Sequence, residues 1–355
     1  MKAFKFPLIW ATFSLLIAGF VGNQYFGGFK GIGPAVLITA VLGILEISLS
    51  FDNAVVNAKV LETMDPVWQG RFLKWGVPIA TIGMRLVFPL IVIGLAAWIS
   101  PIEAIHIAVF EPDRYSHILS QARPEIMAFG GTFLGMVGFK FMFDAEKDVH
   151  WIRFIETRLQ AFGKMESAEA VVVLALLLIT ASVLPTGVNE ASFLFAGVMG
   201  LLTYVLVDGI GDLMGAPEEL TGAVAKSGLS AFIYLEVMDS SFSFDGVIGA
   251  FALSTNLFII ALGLGIGATC IRTMTLLLVK NKVLTEYRYL EHGAFWAVLA
   301  LYLSMLISVR VEIPETITGL MGAAFIAVAW WSSVRWNRKQ LLVHSQATEI
   351  TTTIS

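Results

Sequence analysis

Apolar runs of roughly the length that crosses a lipid bilayer return about ten times along this chain, and no other feature limits its fold so tightly. They fall at roughly 7–22, 33–58, 75–98, 126–143, 167–184, 192–208, 228–253, 256–279, 291–309 and 314–334. About 18 or more apolar residues span the hydrocarbon core as a helix. Inside lipid every backbone N–H and C=O needs a partner, and a single apolar run satisfies them all only as an α-helix. Composition agrees: 57% of residues are hydrophobic and 14% charged, against about 25% charged in soluble domains. The expected fold is therefore an all-α polytopic membrane protein. A net charge of −4 argues against a nucleic-acid partner; the bilayer itself is the expected partner. The lone cysteine, Cys270, excludes an intramolecular disulfide and any cysteine-cluster metal site. The first run follows Lys2 and Lys5 as a signal peptide would. It lacks a small-residue cleavage box and nine more runs follow, so it reads as a retained helix.

Basic residues orient the spans. If the N-terminus, the loops after even-numbered spans and the C-terminus share one side, that side carries 16 of the 23 Lys and Arg residues and the other carries four. Arg85, Lys140 and Arg272 remain within spans. The positive-inside rule then places both termini in the cytoplasm. The chain divides into an N-terminal helix with its outer turn (1–32), a first three-helix unit (33–143) and a cytoplasmic linker (144–166). Peripheral spans 5 and 6 with their loop (167–227) follow, then a second three-helix unit (228–309), a last helix (310–336) and a polar tail (337–355) expected to be disordered. Residues 99–125 read as an outer loop. Its Glu103, Glu111, Asp113, Glu125, His106 and His117 either gather cations at a mouth or are simply solvated. In the linker, Trp151, Phe154, Ile155, Leu159 and Phe162 recur at helical spacing. That predicts an amphipathic helix lying on the membrane surface.

One acidic heptad is written twice in these apolar surroundings: EISLSFD at Glu46–Asp52 and DSSFSFD at Asp239–Asp245. An odd number of spans separates the copies, so they run in opposite directions through the membrane. That is the sequence pattern of an inverted-topology repeat, here spans 2–4 and 7–9. A weaker echo follows in the next span of each unit, GMRLV around Arg85 and CIRTM around Arg272. On an unbroken helix Glu46, Ser50, Asn53 and Asn57 form one polar stripe, with Ser48, Asp52 and Lys59 on another about 120° away. Asp239 and Ser243 repeat the first stripe and Ser241 and Asp245 the second. Glu46 and Asp239 come near mid-span, with Asp52 and Asp245 about 9 Å to either side. The four carboxylates thus mark a route across the membrane.

A charge at the bilayer centre costs about 2.5–3.5 kcal/mol, so four acids must be neutralised by protons, partners or a cation. Arg85 and Arg272 can balance two. Two negative charges remain, before Glu236 is counted, and a divalent cation fits that remainder. Carboxylate, hydroxyl and amide oxygens are hard ligands suited to Mg²⁺, Ca²⁺ or Mn²⁺. Met238 could add a softer contact, although a methionine on an apolar helix is more often packing. His292, at the cytoplasmic end of span 9, is either a pH-sensing or ion-release group or a helix cap.

These residues resemble a known family. LEISLSFDNAVVNAKVL from Leu45 and LEVMDSSFSFDGVIGAF from Leu235 are similar to the TerC-type integral membrane proteins, above all a long bacterial branch known as a domain of unknown function. FDNA at Phe51–Ala54, EHG at Glu291–Gly293 and the arginine of GMRLV add to the likeness. The resemblance implies two inverted three-helix units, membership of the lysine-exporter-like superfamily and a bacterial plasma-membrane location. TerC is named for tellurium resistance, and several relatives are implicated in manganese efflux. Carried over position by position, the metal-binding residues are Glu46, Asp52, Asn53, Asp239 and Asp245. The chain's own pattern adds Ser50, Asn57, Ser243, Glu236, Arg85, Arg272 and His292 as candidate further residues of the ion path. The chain departs from the family at Gly246, where the second copy lacks the asparagine, and in carrying about three more helices. The function expected is divalent-cation efflux, manganese foremost, by alternating access, with proton exchange at a carboxylate. The cation is cargo and no tightly bound cofactor is expected. Three other functions compete: export of amino acids or other organic solutes, a membrane scaffold in stress response, and an intramembrane aspartyl protease built on the Asp208–Asp212 motif DGIGD. The protease is the only enzymatic reading and lacks partner motifs, so no enzyme activity is expected.

Overall fold

The computed structural model describes residues 4–87, 89–91, 94, 99–165, 167–213, 228–251 and 253–354; within them the side chains of residues 73, 77, 84, 210–213, 243–245, 248, 315 and 341–354 lie outside the description. The described residues are helical and contain no strand. In chain order the helices are α1 (Lys5–Tyr25), α2 (Phe29–Leu49), α3 (Phe51–Glu62) and α4 (Pro66–Pro78), the last continuing as a π-helical segment (Ile79–Val87). Next come α5 (Pro101–Phe110), α6 (Pro112–Gln121), α7 (Arg123–Phe143) and α8 (Arg153–Phe162). Then follow α9 (Ala168–Ser182), α10 (Glu190–Leu213), α11 (Gly228–Ala250), α12 (Leu257–Lys280), the short α13 (Val283–Glu286), α14 (Leu290–Ser308) and α15 (Glu315–Ile354).

Eight helices among the described residues are long and apolar enough to cross a membrane. The two other expected spans differ from these for physical reasons. Helix α9 has only 15 residues, about 22 Å of rise. Helix α11 has 23 residues but carries Glu236, Asp239 and Asp245.

Local chemistry sets the boundaries. Between α1 and α2, Gly27 and Gly28 adopt φ of 85° and 73°, a turn open to glycine at no steric cost. Ser50, at φ −105° and ψ 21°, leaves helical geometry and divides the second expected span into α2 and α3. Pro78 has no N–H to give back along α4, and the wider π turn begins at the next residue. The expected outer loop is instead a helical hairpin. Ser100 caps α5 by accepting from Glu103 N, a proline opens each helix, and Ala104, Ile107, Tyr115 and Leu119 form a core with Leu42, Val247 and Leu264. The expected disordered tail continues α15 to Ile354; no glycine or proline follows Gly322 to stop it.

Burial separates centre from periphery. In α7 and α12, 78% of the span is buried, and in α14 67%; in α1, α2, α10 and α15 only 28%. Helix α3 is buried from Asp52 to Leu61 except at Lys59. The outer helices expose large apolar side chains such as Leu16, Leu37, Phe195 and Leu320. Such a surface is stable against lipid and not against water. The molecule is a multi-pass helical membrane protein with α3, α7, α11, α12 and α14 at its heart.

Candidate functional site

Helix α2 delivers Glu46 to the centre by packing tightly on α12. A Cβ at Gly267 would sit 2.2 Å from Glu46 Cγ, so only glycine leaves room for the acid there. Glu46 is 6% exposed. Its Oε1 accepts from Arg85 Nη2 at 2.5 Å, and its Oε2 faces Gly246 on α11, 3.3 Å from where a Cβ would lie. Arg85 projects from the π-helical segment and also donates from Nη1 to Ala80 O.

The second half repeats this arrangement. Arg272 of α12 donates from Nη2 to Asp239 Oδ2 and Glu236 Oε2, each at 3.0 Å. Gly76 makes space for that guanidinium, since a Cβ there would lie 1.9 Å from Nη1. Asn57 Nδ2 of α3 donates to Asp239 Oδ1 at 2.7 Å. In both cases, therefore, the first acid of the heptad is held by the arginine of the next expected span.

Asp52 is different. It is 6% exposed and pairs with no basic side chain among the described residues. It stands in the first turn of α3, where unsatisfied N–H groups and the positive end of the helix dipole favour an anion. The break at Ser50 puts it there. An unbroken helix would place Ser48 and Asp52 on one stripe, whereas the structure leaves Ser48 exposed and buries Asp52.

Two cavities meet at Glu46. The smaller, about 20 Å³, is lined by Glu46, Ser50, Asn53, Arg85, Asp239 and Arg272 together with Ala268 and Ile271. The larger, about 50 Å³, is lined by Glu46, Ser50, Asp52, Asn53 and Thr318, with Leu49, Phe242, Gly246, Leu301 and Gly319. A water-sized guest needs about 10–15 Å³, so the first has room for one and the second for about three. Two carboxylates, two hydroxyls and an amide around the larger cavity make a hard oxygen donor set. Thr318 belongs to α15, outside both expected three-helix units, and nothing in the heptad pattern points to it. Among the described residues no group of three or more His, Cys, Asp and Glu converges as a metal cluster.

Of the expected residues, then, the structure brings together Glu46, Ser50, Asp52, Asn53, Asn57, Arg85, Glu236, Asp239 and Arg272. The side chains of Ser243 and Asp245 lie outside the described residues. His292 does not join the group. It is 2% exposed, and its Nδ1 donates to Glu156 Oε2 at 2.9 Å. Glu156, on α8, is fully buried and also accepts from Trp296 Nε1 at 3.0 Å and from the N–H groups of Trp151 and Ile152. Lys147 Nζ lies 3.6 Å from it. Burial pushes the Glu156 carboxyl up, but the His292 contact and the other donors outweigh it and hold it down at about 2. Burial draws the Lys147 ammonium below its ordinary value despite the carboxylates beside it.

A third cavity, about 190 Å³, lies beside α3 and is lined by Val56, Lys59, Lys140, Asp208, Glu291 and Phe295 among others. Lys59 pairs with Glu291 at 2.9 Å and Lys140 with Asp208 at 2.5 Å. Asp208 of the DGIGD motif is thereby an ion-pair partner, and the Asp212 side chain lies outside the described residues.

Residues 51–340 match the model of a family described as a protein of unknown function, DUF475. The chain belongs to the DUF475 family. No curated protein and no solved structure matches it. The family match begins at the first residue of α3 and takes in Asp52, Asn53, Arg85, Asp239, Asp245, Arg272 and His292. Glu46 lies just outside it.

Proposed function

We propose that this DUF475 protein is a divalent-cation transporter of the bacterial plasma membrane, with Mn²⁺ the favoured cargo and efflux by alternating access. One observation carries the reading: Asp52, buried and without a basic partner among the described residues, opens on a cavity of about 50 Å³ whose other polar walls are Glu46, Ser50, Asn53 and Thr318. A buried carboxylate without a counter-charge is costly, and a cation removes that cost. The repeated acid–arginine pairing, Glu46 with Arg85 and Asp239 with Arg272, supports two inverted three-helix units: α2–α3, the α4/π segment and α7, then α11, α12 and α14. In this reading the chain crosses the membrane about ten times with both termini cytoplasmic. Asp52 and Asp245 serve opposite half-pathways, and a carboxylate exchanges protons against the ion. The likeness to TerC-type proteins and the lysine-exporter-like superfamily agrees with it.

The test is flux of radiolabelled Mn²⁺ into proteoliposomes, comparing wild type with Asp52→Asn and Asp245→Asn. Transport is expected in the wild type and lost in Asp52→Asn. Equal flux in all three ends the proposal. Export of a small organic solute is the second reading, favoured by the 190 Å³ cavity beside α3, which is large enough for a small amine or amino acid. Counterflow of labelled amino acids without dependence on Mn²⁺ would select it.

A further inference from the structure

The charge count at the larger cavity raises a difficulty that the geometry answers. Asp52, when ionised, contributes one negative charge. Glu46 contributes another, but Arg85 already cancels it at 2.5 Å. With Arg85 in place the cavity carries a net charge of about −1, which suits a monovalent ion better than a divalent one. A dication coordinated by Glu46 Oε2 would also sit close to a guanidinium on Oε1 of the same carboxylate, in surroundings that screen poorly. One of the two cations must yield.

The structure provides the space and the destination. Arg85 lines the smaller cavity, about 20 Å³, and across it stands Asp239. Among the described residues the buried Arg85 Nε has no hydrogen-bond partner, and neither has Oδ1 of Asn57, whose Nδ2 holds Asp239. Among the described residues the arginine is therefore held through its two terminal nitrogens, next to a second acid in the other acidic segment. Asp239 and Glu236 share the single guanidinium of Arg272, so with both acids ionised that side holds one negative charge in surplus.

We propose that Arg85 is a displaceable internal counter-ion. A dication entering the Glu46–Asp52 cavity takes over Glu46, and Arg85 turns across the smaller cavity toward Asp239. The inference rests on the proposed cation site and deepens it: Arg85 sets the selectivity for charge, and its move transmits occupancy from one repeat unit to the other. Without the dication Arg85 returns to Glu46, so Glu46 is never left buried and unpaired.

The experiment measures Mn²⁺ binding to the purified full-length protein in nanodiscs, by calorimetry and by the Mn²⁺ spin-resonance signal. Removal of the competitor makes Arg85→Gln bind Mn²⁺ roughly tenfold or more tightly than wild type, with slower turnover in flux. Arg85→Lys, which keeps the charge but loses the two-point hold, is expected in between and keeps the test available if the glutamine variant does not fold. In Arg85→Ala, added guanidinium is expected to displace Mn²⁺, while the wild type is indifferent to it. A merely structural arginine predicts none of this. Well-folded Arg85 variants that bind Mn²⁺ as the wild type does or more weakly, or guanidinium without effect, overturn the inference. Asp52→Asn separates the two levels. Loss of Mn²⁺ binding there with no tightening in the Arg85 variants removes the displacement alone. Undiminished binding in Asp52→Asn removes the cation site and the displacement with it.

Discussion

Asp52 and Glu46 differ in the way each tolerates burial, and the difference assigns their tasks. Glu46 has a guanidinium and a tight glycine contact; Asp52 has a helix end and an open cavity. Asp52→Asn keeps the size and removes the charge. It is expected to abolish Mn²⁺ flux while leaving thermal stability unchanged or raised, because an unpaired buried charge has been removed. A parallel melting curve and flux assay checks both. Gly267→Ala tests the packing instead. The new Cβ would lie 2.2 Å from Glu46 Cγ and 3.3 Å from Gly43 O, so Glu46 must shift or α2 must move off α12. A loss of about 1–3 kcal/mol and of Mn²⁺ binding is expected, read by chemical denaturation in detergent and by calorimetry. The acids were legible in the sequence because charge in an apolar run is conspicuous and because the heptad is repeated. Thr318 and Glu156 were not, since a threonine in an apolar span and a glutamate in a mixed linker each have an ordinary surface explanation.

Helix α8 shows how an element can match its predicted pattern and still bury the wrong-looking residue. Of the apolar stripe Trp151, Phe154, Ile155, Leu159 and Phe162, three residues are exposed, Phe154, Ile155 and Phe162 at 68%, 40% and 50%, while Leu159 packs against the core beside Glu156. The face turned inward belongs to Glu156, which ties the linker to α14 through His292 and Trp296. Apolar periodicity finds the face that lipid can cover but not the face that a hydrogen-bonded carboxylate holds. This contact has a pH signature. The Glu156 carboxyl sits at about 2 instead of 4.5, so its contribution is fully present above about 4.5 and lost as pH falls toward 2. The shift corresponds to at most about 3 kcal/mol. The protection of α8 against hydrogen exchange, relative to the intrinsic rate at each pH, is expected to fall below about pH 4.5 in the wild type. In Glu156→Gln it should be lower at neutral pH and less responsive to acid. Equal protection of α8 in both proteins at every pH would mean that the carboxylate does not hold the linker. The break at Ser50 was equally hidden, because neither proline nor glycine marks it, whereas the π turn after Pro78 has a residue that announces it.

At the scale of the whole molecule, the apolar runs indicated a multi-pass helical protein from the outset, and eight helices among the described residues meet the requirements of length and composition. What hydropathy could not supply was the arrangement around the acids, because lipid-facing and centre-facing helices are equally apolar. Direction is the property on which the proposed alternating access depends: α3 and α11 would have to run oppositely through the membrane. The single cysteine makes this testable, since Cys270→Ser leaves a cysteine-free background. In that background Val56→Cys reports on the cavity beside α3 and Phe251→Cys on the end of α11. A membrane-impermeant maleimide is expected to reach position 56 only from the cytoplasmic face and position 251 only from the outer face. Saturating Mn²⁺ should protect one and expose the other, as a rocking of two units about one site requires. Labelling of both positions from the same face would mean that the two acidic segments are not inverted copies. The pairing of Glu46 with Arg85 and of Asp239 with Arg272 would then be two separate solutions to burying an acid, with no common axis between them.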